Sequence, residues 1–180
     1  NFSILRSAIP EASPDPAIAF SFDLYDHLMA RPAPGIAGST LAQAIDTRLA
    51  KYTWPPDMRT LAGDLAAVRD LVKATPFAPE DIAAIKTALA PFDPERNIRF
   101  RSSTNVEDTA TFTGAGLYDS YSGCLHDDID SDEAGPSVCD PTEANERGVF
   151  RALSKVYASF WNDNAFLARL ERRVPASAVA

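Results

Sequence analysis

Apolar residues recur every three or four positions along most of the chain, which is the spacing of one buried helix face. The pattern predicts a helix over residues 2–9 that stops at Pro10, and a second helix over 21–29 with Ser21 as its N-cap. It then predicts three helices in succession, a long helix from Thr142 and a last helix over 163–172. Their apolar positions are Leu41, Ile45 and Leu49; Leu61, Leu65, Val68 and Val72; Ile82, Ile85 and Leu89; Val149, Phe150, Leu153, Val156, Tyr157 and Phe160; and Phe166, Leu167 and Leu170.

Three short segments have strand-like patterns instead. Residues 17–20 form an apolar run suited to a buried strand, and Ile98 and Phe100 alternate with polar residues over 97–101. A further apolar and aromatic run covers 117–121. The sequence therefore predicts an α/β domain in which several helices pack around a small sheet.

The loop between the last two predicted strands has the composition of a phosphate-binding site. It begins with Arg101, Ser102 and Ser103, continues with threonines, an asparagine and two acids, and ends at Gly114-Ala115-Gly116. Arginine presents a fixed fork of donors to phosphate oxygens, and hydroxyls and glycine N–H groups can complete the contact. A solvated connection of mixed polar residues is the alternative. The chain has neither a Walker A nor a Rossmann glycine motif.

The net charge of −8 and the pI near 4.7 argue against binding to nucleic acid or to an anionic membrane, because both require a basic surface. A phosphate ligand would need local positive charge, for which Arg99 and Arg101 are the nearest candidates. Arg147, Arg151 and Lys155 repeat at four-residue spacing, and periodicity leaves open whether they face solvent or the Arg101 loop. No run of about 18 apolar residues predicts a membrane span.

Two cysteines, Cys124 and Cys139, flank an acidic stretch. A disulfide between them would indicate an oxidising compartment, whereas two free thiols would suit the cytoplasm. Within this stretch Asp128, Asp130 and Asp132 alternate as in a calcium loop, but glycine and glutamate are missing from the sixth and twelfth loop positions. An acidic solvated insertion is the favoured interpretation.

The stretch from Phe100 to Asp108, FRSSTNVED, followed by Phe112-Thr113-Gly114, resembles the signature of the ATP-binding domain of phosphoenolpyruvate synthase and pyruvate phosphate dikinase. The segment VYASFWN over 156–162 is similar to a helix of that family, and NFSIL over 1–5 is similar to the end of its N-terminal motif. Ser3 departs from the motif by replacing a glycine. The resemblance spans nearly the whole chain.

The resemblance implies the N-terminal, helix-rich lobe of an ATP-grasp-like domain that binds ATP with Mg²⁺. It makes Arg101 the main phosphate ligand and the candidate catalytic residue. The other nucleotide-binding residues that it implies are Ser102, Ser103, Thr104, Asn105, Glu107, Asp108, Gly114 and Gly116.

Residues 1–180 are then expected to be one partial domain, truncated at both ends relative to the family, with the phosphate-binding lysine and the metal ligands outside this chain. In such enzymes phosphate passes through a phosphohistidine on a separate swivelling domain, and neither His27 nor His126 lies in that domain's motif. The chain alone is expected to bind ATP weakly. The chain is expected to be part of a cytoplasmic phosphotransferase. The alternative is a non-catalytic binding module, exported if Cys124 and Cys139 form a disulfide.

Overall fold

The computed structural model describes residues 17–104, 116–130 and 134–174. These ranges contain six α-helices and a two-stranded antiparallel sheet, in agreement with the helix-rich α/β class predicted from the sequence. In chain order the elements are α1 (Asp23–Ala30), α2 (Leu41–Leu49), α3 (Met58–Ala74), α4 (Pro79–Leu89), β1 (Ile98–Phe100), β2 (Tyr121–Gly123), a short 3-10 turn (His126–Asp128), α5 (Val149–Ser159) and α6 (Asp163–Glu171).

Local sequence signals account for the ends of several helices. At the start of α2, Thr40 and Gln43 form a reciprocal capping box, and Asp57 accepts a hydrogen bond from the backbone N–H of Arg59 at the start of α3. Pro79 occupies the first turn of α4, where its missing N–H costs no hydrogen bond. The three consecutive helices predicted from the apolar pattern are confirmed.

The core forms where α3 packs against α5, and α5 in turn packs against β2. The apolar stripe of α3 is completely buried there, as are the facing residues of α5; the members are Leu61, Leu65, Val68, Val72, Val149 and Ala152. Gly123 permits the close approach of β2, because a Cβ atom at this position would lie 2.7 Å from Cα of Val149. The sheet is thereby fixed on the helix that carries much of the core.

The two strands pair with Ile98 opposite Gly123 and Phe100 opposite Tyr121. The predicted first strand is confirmed, but the second begins at Tyr121 and not at Leu117. The side-chain amide of Asn162 donates to the carbonyl of Leu117 at 3.4 Å and to the carboxylate of Asp119 at 3.1 Å, so this part of the chain bonds to the α5–α6 junction and not to β1.

Three further predictions from the sequence are wrong. Residues 17–20 form no strand and are mostly exposed, because within the described ranges β1 pairs only with β2 and leaves them no strand partner. Ser21 does not cap α1, since its hydroxyl hydrogen-bonds the carboxylate of Asp23. Helix α5 begins at Val149 and not at Thr142, because Asp140 accepts hydrogen bonds from Thr142 and holds a turn there. The helix predicted over 2–9 lies outside the described residues.

The acidic insertion is closed by a disulfide between Cys124 and Cys139, whose Cα atoms are 5.7 Å apart. Its first two acids are not solvated as predicted. Asp127 is only 7% exposed and accepts hydrogen bonds from the backbone N–H groups of Val138 and Arg147. Asp128 accepts one from the backbone N–H of Val149. These two carboxylates therefore bind backbone and are not arranged as ligands of a calcium ion.

Candidate functional site

A cavity of about 500 Å³ lies between residues 17–22, the segment around β1 and helix α5. Its lining is mostly apolar and rich in aromatic rings; the large side chains are Phe20, Phe22, Tyr25, Leu89, Phe92, Ile98, Phe100, Tyr118, Leu153, Val156, Tyr157 and Phe160. A volume of this size suits a small organic ligand. The cavity is the principal candidate site in the described part of the chain.

The charged side chains that line this cavity are mainly basic. They are Arg96, Arg99, Arg101 and a single acid, Asp93. Arg96 and Arg101 form no ion pair with any described residue, whereas Arg99 lies 3.4 Å from the hydroxyl of Ser122 on the neighbouring strand. The cavity thus combines an apolar lining with positive charge on an acidic protein, which favours an anionic ligand with an apolar part.

All of the predicted phosphate-binding residues that the structure describes, except Gly116, line this cavity. Arg101 follows the last residue of β1, and Ser102, Ser103 and Thr104 continue along the lining. Gly116 has a φ of +78°, which favours glycine, but it is not among the described lining residues. The remaining predicted residues, Asn105, Glu107, Asp108 and Gly114, lie outside the described ranges.

Sequence reasoning missed Arg96 and the aromatic wall. The apolar spacing places Tyr157 on the core face of the long helix, and it also lines the cavity, as does Tyr25 of α1. The two rings meet edge to face with centroids 5.4 Å apart. Burial raises the pKa of both hydroxyls, which therefore stay protonated at neutral pH and can donate hydrogen bonds. The aromatic spacing gave no sign of this second role, because core and lining residues share one helix face.

The chain that follows the predicted phosphate loop forms another part of the wall. The ring of Tyr118 stacks on that of Phe160, with centroids 5.8 Å apart and planes 5° from parallel. Both side chains line the cavity. Because Phe160 is the C-cap residue of α5, this stacking connects the segment after the predicted phosphate loop to the end of that helix.

The predicted basic row does not join this site, and its first member, Arg147, precedes α5. Arg147 forms an ion pair with Glu143, Arg151 is exposed, and the ammonium of Lys155 lies 5.0 Å from the ring centroid of Tyr121. None of the three lines the cavity. His27 is exposed, and its Nδ1 lies 2.9 Å from a carboxylate oxygen of Asp81, which connects α1 with α4. This hydrogen bond raises the pKa of His27.

The resemblance also implied Mg²⁺. Among the residues that the structure describes, no group of three or more His, Cys, Asp or Glu side chains could hold a metal ion. In the same ranges, no helix is long and apolar enough to cross a membrane.

Comparison with known protein families identifies one matching domain. Residues 23–180 match the family described as pyruvate phosphate dikinase, AMP/ATP-binding domain. A search of curated proteins found no match. The matched range includes every described residue of the predicted phosphate loop and all of the cavity lining except residues 17–22. The chain therefore belongs to the pyruvate phosphate dikinase AMP/ATP-binding domain family.

Proposed function

We propose that this chain is the ATP-binding portion of a phosphotransferase like phosphoenolpyruvate synthase or pyruvate phosphate dikinase, and that it forms the N-terminal lobe of an ATP-grasp-like domain. The observation that carries the proposal is the position of Arg101. Arg101 directly follows β1 and lines a cavity whose charged residues are mostly arginines. Membership of the AMP/ATP-binding domain family favours ATP as the anionic ligand of this cavity.

In this proposal Arg101 donates two parallel hydrogen bonds to phosphate oxygens, and the hydroxyls of Ser102, Ser103 and Thr104 donate further ones. The neighbouring guanidinium groups of Arg96 and Arg99 add positive potential. Apolar walls keep water away from the bound phosphates, and the lower local dielectric strengthens each of these contacts. The residues Asn105, Glu107, Asp108, Gly114 and Gly116 remain part of the proposed loop. Mg²⁺ ligands and the phosphohistidine are proposed to come from elsewhere in the parent protein.

The test compares Arg101→Ala with Arg99→Ala in the natural polypeptide that contains this sequence. Loss of a charge-assisted contact of about 1.5–3 kcal/mol should weaken Mg-ATP binding or turnover by roughly ten- to a hundredfold. Arg99→Ala should have a smaller effect, because Arg99 already contacts Ser122 and lies farther from the loop. Calorimetric titration and ATP-dependent phosphoryl transfer measure the two quantities.

A structural role for Arg101 predicts a different result. If Arg101 forms an ion pair with Glu107 or Asp108, Arg101→Ala would lower the melting temperature and leave the affinity of the folded protein for nucleotide intact. Measuring thermal stability together with affinity separates the two roles. Unchanged affinity in a folded variant would overturn the assignment.

The disulfide favours a second candidate, a non-catalytic binding module in an exported protein. A bridge such as Cys124–Cys139 persists in oxidising compartments and is rare in the cytoplasm. The two candidates differ in one measurable property. A module that binds ATP without transferring phosphate to any acceptor, and that is found outside the cytoplasm, would replace the enzyme proposal; phosphoryl transfer by the natural polypeptide would exclude the module.

A further inference from the structure

Arg169 on α6 is a buried cation that the proposed chemistry does not use. Its side chain belongs to a residue only 2% exposed, although arginine is almost never fully buried without a partner. No carboxylate forms an ion pair with it in the described ranges. Burial without such a partner lowers the pKa of the guanidinium. A methionine of similar length could fill the space without the cost of desolvating a charge.

The contacts of Arg169 are concentrated on two cavity-lining residues. Its Nη2 donates a hydrogen bond to the backbone carbonyl of Phe160 at 2.6 Å, and its Cζ lies 3.7 Å from the centroid of the Phe160 ring. Its Nη1 lies 3.5 Å from the hydroxyl oxygen of Tyr118. The carbonyl of Phe160 is at the C-terminal end of α5, where the helix dipole favours a cation.

Phe160 and Tyr118 are stacked on each other, so one guanidinium holds both members of a pair that forms part of the cavity wall. The segment containing Tyr118 is also held by Asn162, which binds Leu117 and Asp119. This segment leads back from the proposed phosphate loop to β2. A substitution at Arg169 would therefore alter the cavity wall and the segment that follows the phosphate loop. It would not remove a direct contact to a ligand.

We propose that Arg169 is a positioning residue of the nucleotide site, which fixes the Tyr118–Phe160 wall by binding the Phe160 carbonyl and the Tyr118 hydroxyl together. The inference rests on the proposed function in so far as the cavity receives ATP. Its structural part, the fixing of the wall, can be tested without any ligand.

The ligand-free test is hydrogen–deuterium exchange of the natural polypeptide carrying Arg169→Met or Arg169→Lys. Methionine keeps much of the volume but no donor, and lysine keeps the charge but lacks a planar fork. The amides of residues 160–162 donate to carbonyls of α5 next to the Phe160 carbonyl that Arg169 binds. They should exchange roughly tenfold faster in both variants, while those of β1 and β2 keep their wild-type rates. Arg151→Met is the matched control, because it removes one exposed positive charge from α5 and should change neither set.

The second test is a double-mutant cycle on Mg-ATP affinity with Arg169→Met and Tyr118→Phe. Tyr118→Phe keeps the stacked ring and removes only the hydroxyl. We expect Arg169→Met to weaken affinity by roughly tenfold or more, and the two changes together to weaken it by less than the product of their separate effects, because they act through one contact.

The outcomes separate the two levels of the proposal. Unchanged exchange at 160–162, faster exchange throughout the protein in both Arg169 variants, or independent effects in the cycle would each overturn the positioning role. A wild-type protein that binds no Mg-ATP would overturn the proposed function instead, and the exchange pattern would still decide whether Arg169 fixes the wall.

Discussion

The carboxylate of Asp128 accepts a hydrogen bond from the backbone N–H of Val149, the first residue of α5. A residue of the disulfide-closed insertion thus satisfies one of the unpaired donors at the start of the helix. The same helix supplies Leu153, Val156 and Tyr157 to the cavity, and its C-cap residue supplies Phe160. The insertion therefore helps to define where the cavity-lining helix begins.

The burial of the Asp128 carboxyl beside α5 should make stability depend on pH in the acid range. Burial raises the pKa of Asp128 to about 6 from 3.8, although hydrogen bonds from Val149 and Phe150 and the charge of Lys86 oppose the shift. Because the folded state binds the proton more tightly, the group's stabilising contribution is complete below pH 3.8 and is lost as pH rises through about 6.

Asp128→Asn removes this titration and keeps an oxygen acceptor for Val149. We expect the free energy of unfolding of the wild type, relative to that of the variant, to fall between pH 3.8 and about 6 and to stay constant above it. Urea denaturation across this range measures the difference. If the difference grows with pH instead, the hydrogen bonds to the ionised carboxylate stabilise the folded state by more than the burial of its charge destabilises it.

Gly148→Ala should destabilise the protein because the new Cβ would overlap the carboxylate of Asp128. Moving Asp128 away breaks its bond to α5, for a loss of about 1–3 kcal/mol. Gly63→Ala is the matched control, since a Cβ there meets nothing within 4 Å inside α3. That variant should gain about 0.5–1 kcal/mol, because alanine favours the helix. Equal effects on chemical denaturation would contradict the steric explanation.

The bridge between Cys124 and Cys139 should leave no thiol open to alkylation in the non-reduced, unfolded protein, as mass measurement can show. The cysteines are 15 residues apart, so replacing both with serine should cost about 3 kcal/mol through greater freedom of the unfolded chain. Labelling of both thiols without reductant would show that the bridge is absent in solution and would remove the argument for export.

Leu65→Ala should cost about 2–5 kcal/mol, because Leu65 is 0% exposed in the core between α3 and α5. Met58 lies at the start of the same helix and is 46% exposed, so Met58→Ala should change the free energy of unfolding by no more than about 0.5 kcal/mol. Thermal and urea denaturation of the pair measure the contrast. Comparable losses would place the principal core elsewhere.

The sequence by itself determined the helices, β1 and the family. Helical periodicity is a local property, and residues such as Leu61, Leu65 and Val68 reveal a buried face before any partner is known. Capping residues and Pro79 then mark the ends of helices through contacts within one turn. The family signature around Arg101 is likewise a contiguous stretch, which is why the resemblance could be read directly.

Only the tertiary structure decided which partners the polar groups near the cavity take. Tyr118 lies in a segment predicted as strand, yet Asn162, more than forty residues away, holds the adjoining backbone against the α5–α6 junction. The sequence predicts a solvated Asp128, but in the folded protein its carboxylate accepts a hydrogen bond from the backbone N–H of Val149. The apolar spacing of α6 does not identify Arg169 as a buried residue, and its buried guanidinium contacts both Phe160 and Tyr118. Such choices depend on desolvation and on distant hydrogen-bond partners, and neither is encoded in the local spacing of apolar and polar residues.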